Sequence, residues 1–248
     1  MSNYTEKEAL EYLVNLGETK VLKIDGQQFT TKQVYAVREP IPASIQVTTL
    51  TALVDYIKSN FDTKASEKLL IHVKSPVEVS LCSELRSDAE REEYIKCRAL
   101  LPDNICFDRF MDTESFNIML QSSFDSKTIL QEDKEVDFKE LLLKVTGCIK
   151  DNVVKQIGDD GVSQAATIKT GVASVADVKV PNPVILAPFR TFPEVKQPAS
   201  KFIFRMQSGP RAALFEADGG TWRNIAMISI KKLLQEQLKE FENVEIIA

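Results

Sequence analysis

Residues near the C-terminal end of the sequence have the chemistry of an anion-binding site. Gly219–Thr221 precedes a predicted helix, and the backbone N–H groups at a helix start bind phosphate. Three arginines lie close to this turn, and the ring of Trp222 or Phe192 can stack on a nucleobase. We therefore predict a site for a small phosphate-containing ligand, formed by Arg205, Arg211, Gly219, Gly220, Thr221, Trp222 and Arg223. The alternative is that Trp222 anchors the hydrophobic core and that the glycines only form the turn.

Two pairs of carboxylates have the chemistry of metal ligands. Asp159 and Asp160 lie between glycines, and Glu216 and Asp218 project to the same side of an extended strand. A hard cation needs several oxygen ligands that converge from different elements, and neither pair has further carboxylates in register. We interpret Asp159 and Asp160 as turn residues and Asp218–Gly220 as a strand-to-helix turn, and we predict no metal site.

The sequence has few residues suited to catalysis. A nucleophilic serine or cysteine needs a base, which is usually a histidine. The one histidine, His72, lies in the alternating run Leu70–Lys74, so we expect a partly buried structural side chain on a strand. The glycine motifs of hydrolases, P-loop enzymes and dinucleotide-binding enzymes do not occur. We therefore predict no catalytic residues, no cofactor and no enzymatic activity.

The chain is acidic as a whole but basic in one segment. Its formal net charge is −5, which disfavours a surface that neutralises phosphates throughout. From Lys179 to Arg211, however, the charged residues are six basic and one acidic. This segment predicts binding of single-stranded DNA, with bases stacked on Phe192, Phe202 and Phe204. The alternative is a solvated strand face that carries cations.

Composition and cysteine usage predict a folded protein of a reducing cytoplasm. Of the 248 residues, 44% are hydrophobic and 27% are charged, which is an ordinary globular balance. No apolar run approaches the roughly 20 residues that span a bilayer, and the first residues lack the basic start of a signal peptide. The four cysteines form no C-x-x-C pair. Cys82 and Cys97 are spaced to face each other across a hairpin, but we expect both thiols to be reduced.

Hydrophobic periodicity predicts the elements that position these residues. In the first half we expect helices at Thr5–Leu16 and Thr48–Asn60, a hairpin around Asp25–Gly26, strands at Leu69–Val73, Val77–Leu85 and Tyr94–Ala99, and a helix capped by Asp112 or Thr113. In the second half we expect a long helix at Val136–Ile157, an extended segment at Val162–Val180, and strands at Val184–Arg190, Lys201–Gln207, Ala212–Ala217 and Val244–Ile247. A C-terminal helix follows Thr221, its predicted N-cap, with a core-facing stripe of Ile225, Met227, Ile228, Leu233, Leu234 and Leu238.

The predicted fold class is α+β, because strands and helices alternate without a regular βαβ period. We expect mixed or antiparallel sheets, a long central helix, and a C-terminal helix packed on a β-meander. The predicted regions are 1–46, with a helix and a hairpin; 47–130, an α+β region; and 131–248, with the long helix, the strand series and the C-terminal helix. The last two regions are also compatible with one continuous domain.

The order of several segments resembles the YfdQ-like proteins, a family encoded by tailed phages and prophages. The segments lie between Val47 and Leu238 and are Thr48–Lys58, Phe110–Met111, Ser115–Phe116, Pro181–Arg190 and Lys201–Met206. A further segment, Ala213–Asn224, is typical of versions from phages of Gram-positive bacteria. The resemblance implies a phage origin and expression in the host cytoplasm. No catalytic residues are established for the family, so it implies none here.

These observations predict a non-enzymatic bacteriophage accessory protein that acts as a homo-oligomer in the infected cell, without a membrane partner. One alternative is an anti-defence protein that sequesters a nucleotide signal, in which case Arg205, Arg211 and Arg223 must converge on one pocket. Another is a recombination or replication helper that binds single-stranded DNA. A host defence protein as partner and association with the virion both remain open.

Overall fold

The computed structural model describes residues 6–24, 27–30, 41–62, 67–86, 89–125, 128–131, 134–147, 157–159, 164–170, 173–180, 182–207 and 211–248. The chain divides into two compact units, Met1–Pro42 and Ala43–Ala248. The second unit therefore includes residues from both predicted regions, 47–130 and 131–248.

The described residues form helices and strands in mixed order. The helices are α1 (Glu6–Gly17), α2 (Leu50–Ser59), α3 (Thr113–Ser123), α4 (Phe138–Gly147) and α5 (Thr221–Gln237). The strands are β1 (Val21–Ile24), β2 (Gln27–Thr30), β3 (Ile45–Val47), β4 (Leu69–Ser75), β5 (Glu78–Ser83), β6 (Glu93–Arg98), β7 (Met111–Asp112), β8 (Phe124–Asp125), β9 (Thr128–Gln131), β10 (Lys134–Asp137), β11 (Ile157–Asp159), β12 (Gln164–Thr170), β13 (Ala173–Val180), β14 (Val184–Pro188), β15 (Ser200–Gln207), β16 (Arg211–Glu216) and β17 (Val244–Ile247). Mixed and antiparallel sheets combined with helices confirm the predicted α+β class.

In the unit Met1–Pro42, α1 and the antiparallel hairpin of β1 and β2 form where the sequence predicts them. The predicted turn, Asp25–Gly26, lies outside the described residues. Every side chain that the structure describes between residues 7 and 42 is exposed, including the leucines of α1. The described part of this unit therefore buries no core of its own.

Sheet one has the strand order β17–β4–β5–β6–β3. Strands β4, β5 and β6 form an antiparallel meander, and β17 and β3 pair in parallel with its outer strands. Burial alternates along β4, and its buried side chains share one face of the sheet with Val79 and Leu81 of β5; α2 and α5 pack against this face. The C-terminal helix thus lies on a β-meander as predicted, although the meander is formed by β4–β6 and not by the strands that precede the helix. The shared core includes Leu50, Leu53, Ile71, Leu81, Ile95, Ile230 and Leu234.

Sheet two has the strand order β7–β16–β15–β14–β8 and is antiparallel throughout. Every second residue of β15 is buried, beginning with Ser200, so the alternation in the sequence correctly predicts a strand here. Helices α3 and α4 cover the buried face. This second core includes Phe116, Phe124, Phe138, Leu142, Phe202, Phe204 and Leu214.

The predicted long helix at Val136–Ile157 is not confirmed. Val136 lies in β10, where it pairs with Ile129. The helix begins at Phe138, because the Asp137 carboxylate accepts a hydrogen bond from the backbone N–H of Glu140 (3.1 Å) and ends the strand. Ile157 lies in β11, and residues 148–156 lie outside the described residues. The three- and four-residue spacing in this region therefore spans more than one element.

The buried stripe of α5 differs from the predicted one. Ile225 and Ile228 are each 44% exposed, so their predicted core positions are wrong. The helix instead buries residues at steps of four, namely Trp222, Ala226, Ile230 and Leu234. Residues at steps of four lie on one face of a helix, and Ile225 and Ile228 lie off that face.

The loop between β14 and β15 reaches from sheet two into the core of sheet one. Phe192 and Val195 are buried in the core of sheet one, whereas the two flanking strands pack in the core of sheet two. The Gln197 side chain holds the loop, because its Nε2 donates to the carbonyls of Phe192 (3.1 Å) and Val195 (3.3 Å). Its Oε1 accepts from the backbone N–H of Arg190 (3.1 Å). A buried amide thus replaces the regular hydrogen bonds that the loop lacks.

Candidate binding surfaces

At the turn before α5, the carboxylate of Asp218 occupies the backbone N–H groups to which a phosphate is predicted to bind. Gly219 and Gly220 have positive φ angles of 62° and 78°, which favour glycine. Asp218 accepts from the backbone N–H groups of Gly220 (3.0 Å) and Trp222 (3.4 Å). Gly220 is the N-cap, so the prediction that Thr221 caps the helix is wrong; its hydroxyl donates to the Asp218 carbonyl. A phosphate at this helix start would compete with Asp218 for the same N–H groups.

Trp222 is a core anchor, the alternative that the sequence left open. Its side chain is buried, and the guanidinium carbon of Arg190 lies 3.9 Å from the ring centroid. The guanidinium of Arg223 lies 5.3 Å from the same ring. Two cations close to one indole make a favourable contact with its π system, but they leave the ring unavailable to a base.

Arg190, in the loop after β14, contacts three elements at this point. Its guanidinium donates to the Glu216 carboxylate of β16 and to the Ser200 hydroxyl of β15, and it packs on Trp222 of α5. Burial lowers the pKa of Arg190 to about 10, an effect that the nearby carboxylates of Glu216 and Asp218 partly offset. From the sequence, Arg190 is predicted only as a cation of the basic segment and as the end of the strand Val184–Arg190. The signal for its buried position is a lone cation directly after the apolar run Val184–Phe189.

The predicted arginines lie in two places. Arg211 begins β16, where its Nη2 donates to the Phe110 carbonyl (3.0 Å), and Arg205 lies opposite Ala213 on β15. Arg223 follows the other end of β16, and a six-residue strand is about 17 Å long. The structure therefore brings Gly219, Gly220, Thr221, Trp222 and Arg223 together, and separates them from Arg205 and Arg211. The convergence that nucleotide sequestration requires does not occur in this arrangement.

The three phenylalanines predicted to stack on bases face the core. Phe192, Phe202 and Phe204 are each 0% exposed, so the predicted stacking role is wrong. The alternation that identified β15 also assigned its phenylalanines to one face, and that face is buried. Phe110 and Phe215 are partly exposed instead, with ring centroids 5.9 Å apart and planes at 69°.

The solvent side of sheet two combines cations with aromatic rings. Residues directly opposite each other on paired strands share a face, and here Ile203 lies opposite Phe215, Arg205 opposite Ala213, and Gln207 opposite Arg211. We name this surface the basic–aromatic face, and its exposed or partly exposed side chains are Phe110, Lys201, Ile203, Arg205, Gln207, Arg211 and Phe215. Phe215 pairs with Ile203, which lies between Lys201 and Arg205 on the same face of β15.

The solvent side of sheet one has its charges paired. Lys74 lies 2.8 Å from Glu93 and 3.7 Å from Glu78, and Lys96 lies 4.0 Å from Glu78. His72 is on the same side, opposite Ser80, and is exposed. The expected strand position of His72 is correct, but its expected partial burial is wrong. This face is electrically compensated within the chain.

The remaining candidate residues have structural positions. Glu216 and Asp218 serve Arg190 and the start of α5, while Asp160 lies outside the described residues. No group of three or more His, Cys, Asp or Glu side chains suited to a metal ion occurs among the residues that the structure describes. Cys82, Cys97 and Cys106 are free thiols, as expected. Burial raises the pKa of the Cys97 thiol to about 12, with a smaller contribution from Glu194.

In the described part of the chain, no helix has the length and the apolar character needed to cross a bilayer. No protein-family model, no curated protein and no solved structure matches the sequence significantly.

Proposed function

We propose that this chain is a non-enzymatic accessory protein that binds single-stranded nucleic acid on the basic–aromatic face of sheet two. The observation that carries the proposal is the position of partly exposed Phe215, which has Lys201 on one side along the strands and Arg205 and Arg211 on the other. Cations that alternate with an aromatic ring match a sugar–phosphate backbone whose bases are free to stack.

The chemistry of the face fits a single strand better than a duplex. Lys201 and Arg211 are exposed and can neutralise phosphates, while the pair of Phe110 and Phe215 offers an aromatic edge to a base. In a duplex the bases are stacked on one another and do not reach a ring on a flat sheet. Base stacking is tolerant of sequence, so we expect weak preference among bases.

The balance of charge predicts modest affinity. The face carries three cations, and Asp112 lies directly opposite Arg211 on β7. The Asp112 carboxylate also accepts from the backbone N–H (2.9 Å) and the hydroxyl (2.7 Å) of Ser115, so it is committed to the start of α3. With phosphate contacts from the exposed Lys201 and Arg211, the logarithm of the binding constant should fall with the logarithm of salt concentration with a slope of about −1.4.

The biological setting rests on the resemblance to the YfdQ-like family. It supports a phage-encoded role in the cytoplasm of an infected cell, where single-stranded nucleic acid is exposed during replication and recombination. Action as a homo-oligomer belongs to the same proposal, because several copies on one strand would add their few contacts together.

The test is fluorescence anisotropy of a labelled single strand, and of a duplex of the same length, between about 50 mM and about 200 mM salt. We expect binding of the single strand that weakens with salt. Lys201→Ala and Arg211→Ala should each reduce the salt slope by about 0.7. The matched control is Lys96→Ala, which removes an equal charge from the compensated face of sheet one and should leave binding unchanged. Absence of binding at low salt, or equal loss from Lys96→Ala, would refute the proposal.

A further inference from the structure

The helix α1 has an apolar surface wider than one neighbouring element can cover. At 100° per residue, its apolar positions span about 200° of the circumference. They are Ala9, Leu10, Tyr12, Leu13, Val14, Leu16 and Gly17, interrupted only by Glu6 at the first position. A helix on the surface of a domain needs an apolar stripe of about 100°. The width of this arc is typical of a helix with neighbours on two sides.

These apolar side chains are exposed in the unit Met1–Pro42. Leu10, Leu13 and Val14 are 62%, 62% and 65% exposed, and Tyr12 and Leu16 are 66% and 60% exposed. A helix of 12 residues is marginal in water when it stands alone, and so is a two-stranded hairpin. The stability of α1 must therefore come from contacts that form when the arc is covered.

We infer that α1 assembles with α1 of other copies of this chain into a helical bundle of at least three members. In a pair of helices, each helix covers one seam of its partner and leaves about half of this arc in water. In a bundle of three or more, each helix has neighbours on two sides, which matches an arc of about 200°.

The charges of α1 favour copies of the chain over other occupants. The polar arc holds Lys7, Glu8, Glu11 and Asn15, and Lys7 lies 3.9 Å from Glu11 on the same helix. In a bundle this arc faces water, so its carboxylates do not oppose one another across a seam. The excess of glutamate over lysine in α1 disfavours an anionic lipid surface, which binds amphipathic helices with basic polar faces.

The available area predicts an assembly that depends on concentration. Full burial of a leucine or valine side chain removes about 60–120 Å² of apolar surface. Five side chains at their present exposure offer less than the 800 Å² or so that one partner contributes to a stable interface. Assembly through α1 should therefore be reversible by dilution.

Sedimentation velocity of the full chain, over about two orders of magnitude in concentration, tests this inference. We expect a species of at least three times 27.8 kDa at high concentration and a monomer on dilution. Leu13→Glu places a charge in the apolar arc and should yield the monomer throughout. Asn15→Glu adds the same charge on the polar arc and should leave the assembly intact.

Circular dichroism keeps the test informative if the substituted helix unfolds. For the wild-type chain, helical signal should rise with concentration as α1 forms, and in Leu13→Glu it should stay constant at the lower value. A wild-type monomer at every concentration would overturn the inference, as would a Leu13→Glu oligomer of unchanged mass. A stable dimer would contradict the predicted number of copies. Nucleic-acid binding by the monomer is measured separately, so the two proposals can fail independently.

Discussion

The two five-stranded sheets of the unit Ala43–Ala248 have the same design on their buried faces and opposite designs on their exposed faces. Each buries alternate apolar residues under two helices. On the exposed face of sheet one, Lys74 and Lys96 lie within 4.0 Å of glutamates. On the exposed face of sheet two, Lys201, Arg205 and Arg211 share the face with the rings of Phe110 and Phe215.

The difference between the two exposed faces shows which charges are neutralised within the chain and which can bind a partner. An ion pair between neighbouring strands satisfies a lysine within the chain and leaves little charge for a partner. A cation beside an aromatic ring keeps its charge, and the ring adds a surface to which a planar group can bind. For this reason the exposed face of sheet two, and not the turn before α5, is the stronger candidate for binding.

The largest expected effect is on the free energy of unfolding, and it distinguishes the buried face of sheet two from the exposed face. Phe204 is completely buried and packs 5.7 Å from Phe116 between ring centroids, so Phe204→Ala should lower the free energy of unfolding by about 3–5 kcal/mol. Phe215→Ala, on the exposed face, should cost far less stability and should weaken binding of a single strand. Urea denaturation and anisotropy measure the two effects. Equal losses of stability would contradict the assignment of the faces.

The next effect concerns the junction that Arg190 forms with β15 and β16 of sheet two and with α5. Arg190→Ala removes a buried cation and leaves Glu216 without its partner, which should lower the free energy of unfolding by about 3 kcal/mol. Trp222 is the one tryptophan of the chain, so its fluorescence should change with the loss of the guanidinium above the ring. Arg98→Ala, at an exposed position of β6, is the control and should alter neither property. A loss below about 1 kcal/mol would show that the junction is not a buried ion pair of ordinary strength.

Much of the fold could be predicted because its signals are local. The helix at Leu50–Ser59 has its N-cap at Thr49, and β15 alternates strictly between buried and partly or fully exposed residues. The prediction failed where the signal was ambiguous between elements. Val136 and Ile157 continue the spacing of α4, but hairpin pairing places both in strands.

The candidate site was harder to predict because it depends on which residues meet across the sheet. Alternation showed that Phe202 and Phe204 share a face of β15, but not that this face is buried. Phe110 reaches the basic–aromatic face only because β7 pairs with β16. The role of Arg190 depends on contacts with Glu216 and Trp222, which are distant in sequence and have no local pattern.

A smaller effect separates the two faces of sheet one. Cys97 lies on the buried face of β6, where burial raises the pKa of its thiol from 9.0 to about 12. The folded state holds this proton while the unfolded state loses it above pH 9, so stability is present below that pH and falls as pH rises toward 12. At pH 10.5 the loss attributable to this thiol should be about 2 kcal/mol.

Urea denaturation between pH 8 and about pH 10.5 tests this effect in wild type and in Cys97→Ala. Cys97→Ala should be less stable than wild type at pH 8, because it loses a buried side chain. Between pH 8 and about pH 10.5, however, its free energy of unfolding should fall by about 2 kcal/mol less than that of wild type. Cys82→Ala removes a thiol from the exposed face and retains Cys97, so it should keep the wild-type alkaline loss. Parallel curves for wild type and Cys97→Ala would contradict the buried position of this thiol.

The smallest effect compares the N-cap of α2, which packs on sheet one, with the N-cap of α3, which packs on sheet two. Thr49 caps α2 beside sheet one by accepting from the backbone N–H of Ala52 (3.2 Å), and Asp112 caps α3 beside sheet two by accepting from Ser115. Thr49→Ala should cost about 1 kcal/mol at any acidic or neutral pH. The hydrogen bonds from Ser115 hold the pKa of Asp112 below its usual 3.8, so the contribution of Asp112 is present above pH 3.8 and is lost as pH falls through the depressed pKa. Thermal unfolding of Thr49→Ala and Asp112→Ala at neutral and strongly acidic pH distinguishes the two caps, because only the Asp112→Ala difference should vanish in acid. A pH-independent loss from Asp112→Ala would mean that its neutral hydroxyl form caps the helix as well as the carboxylate does.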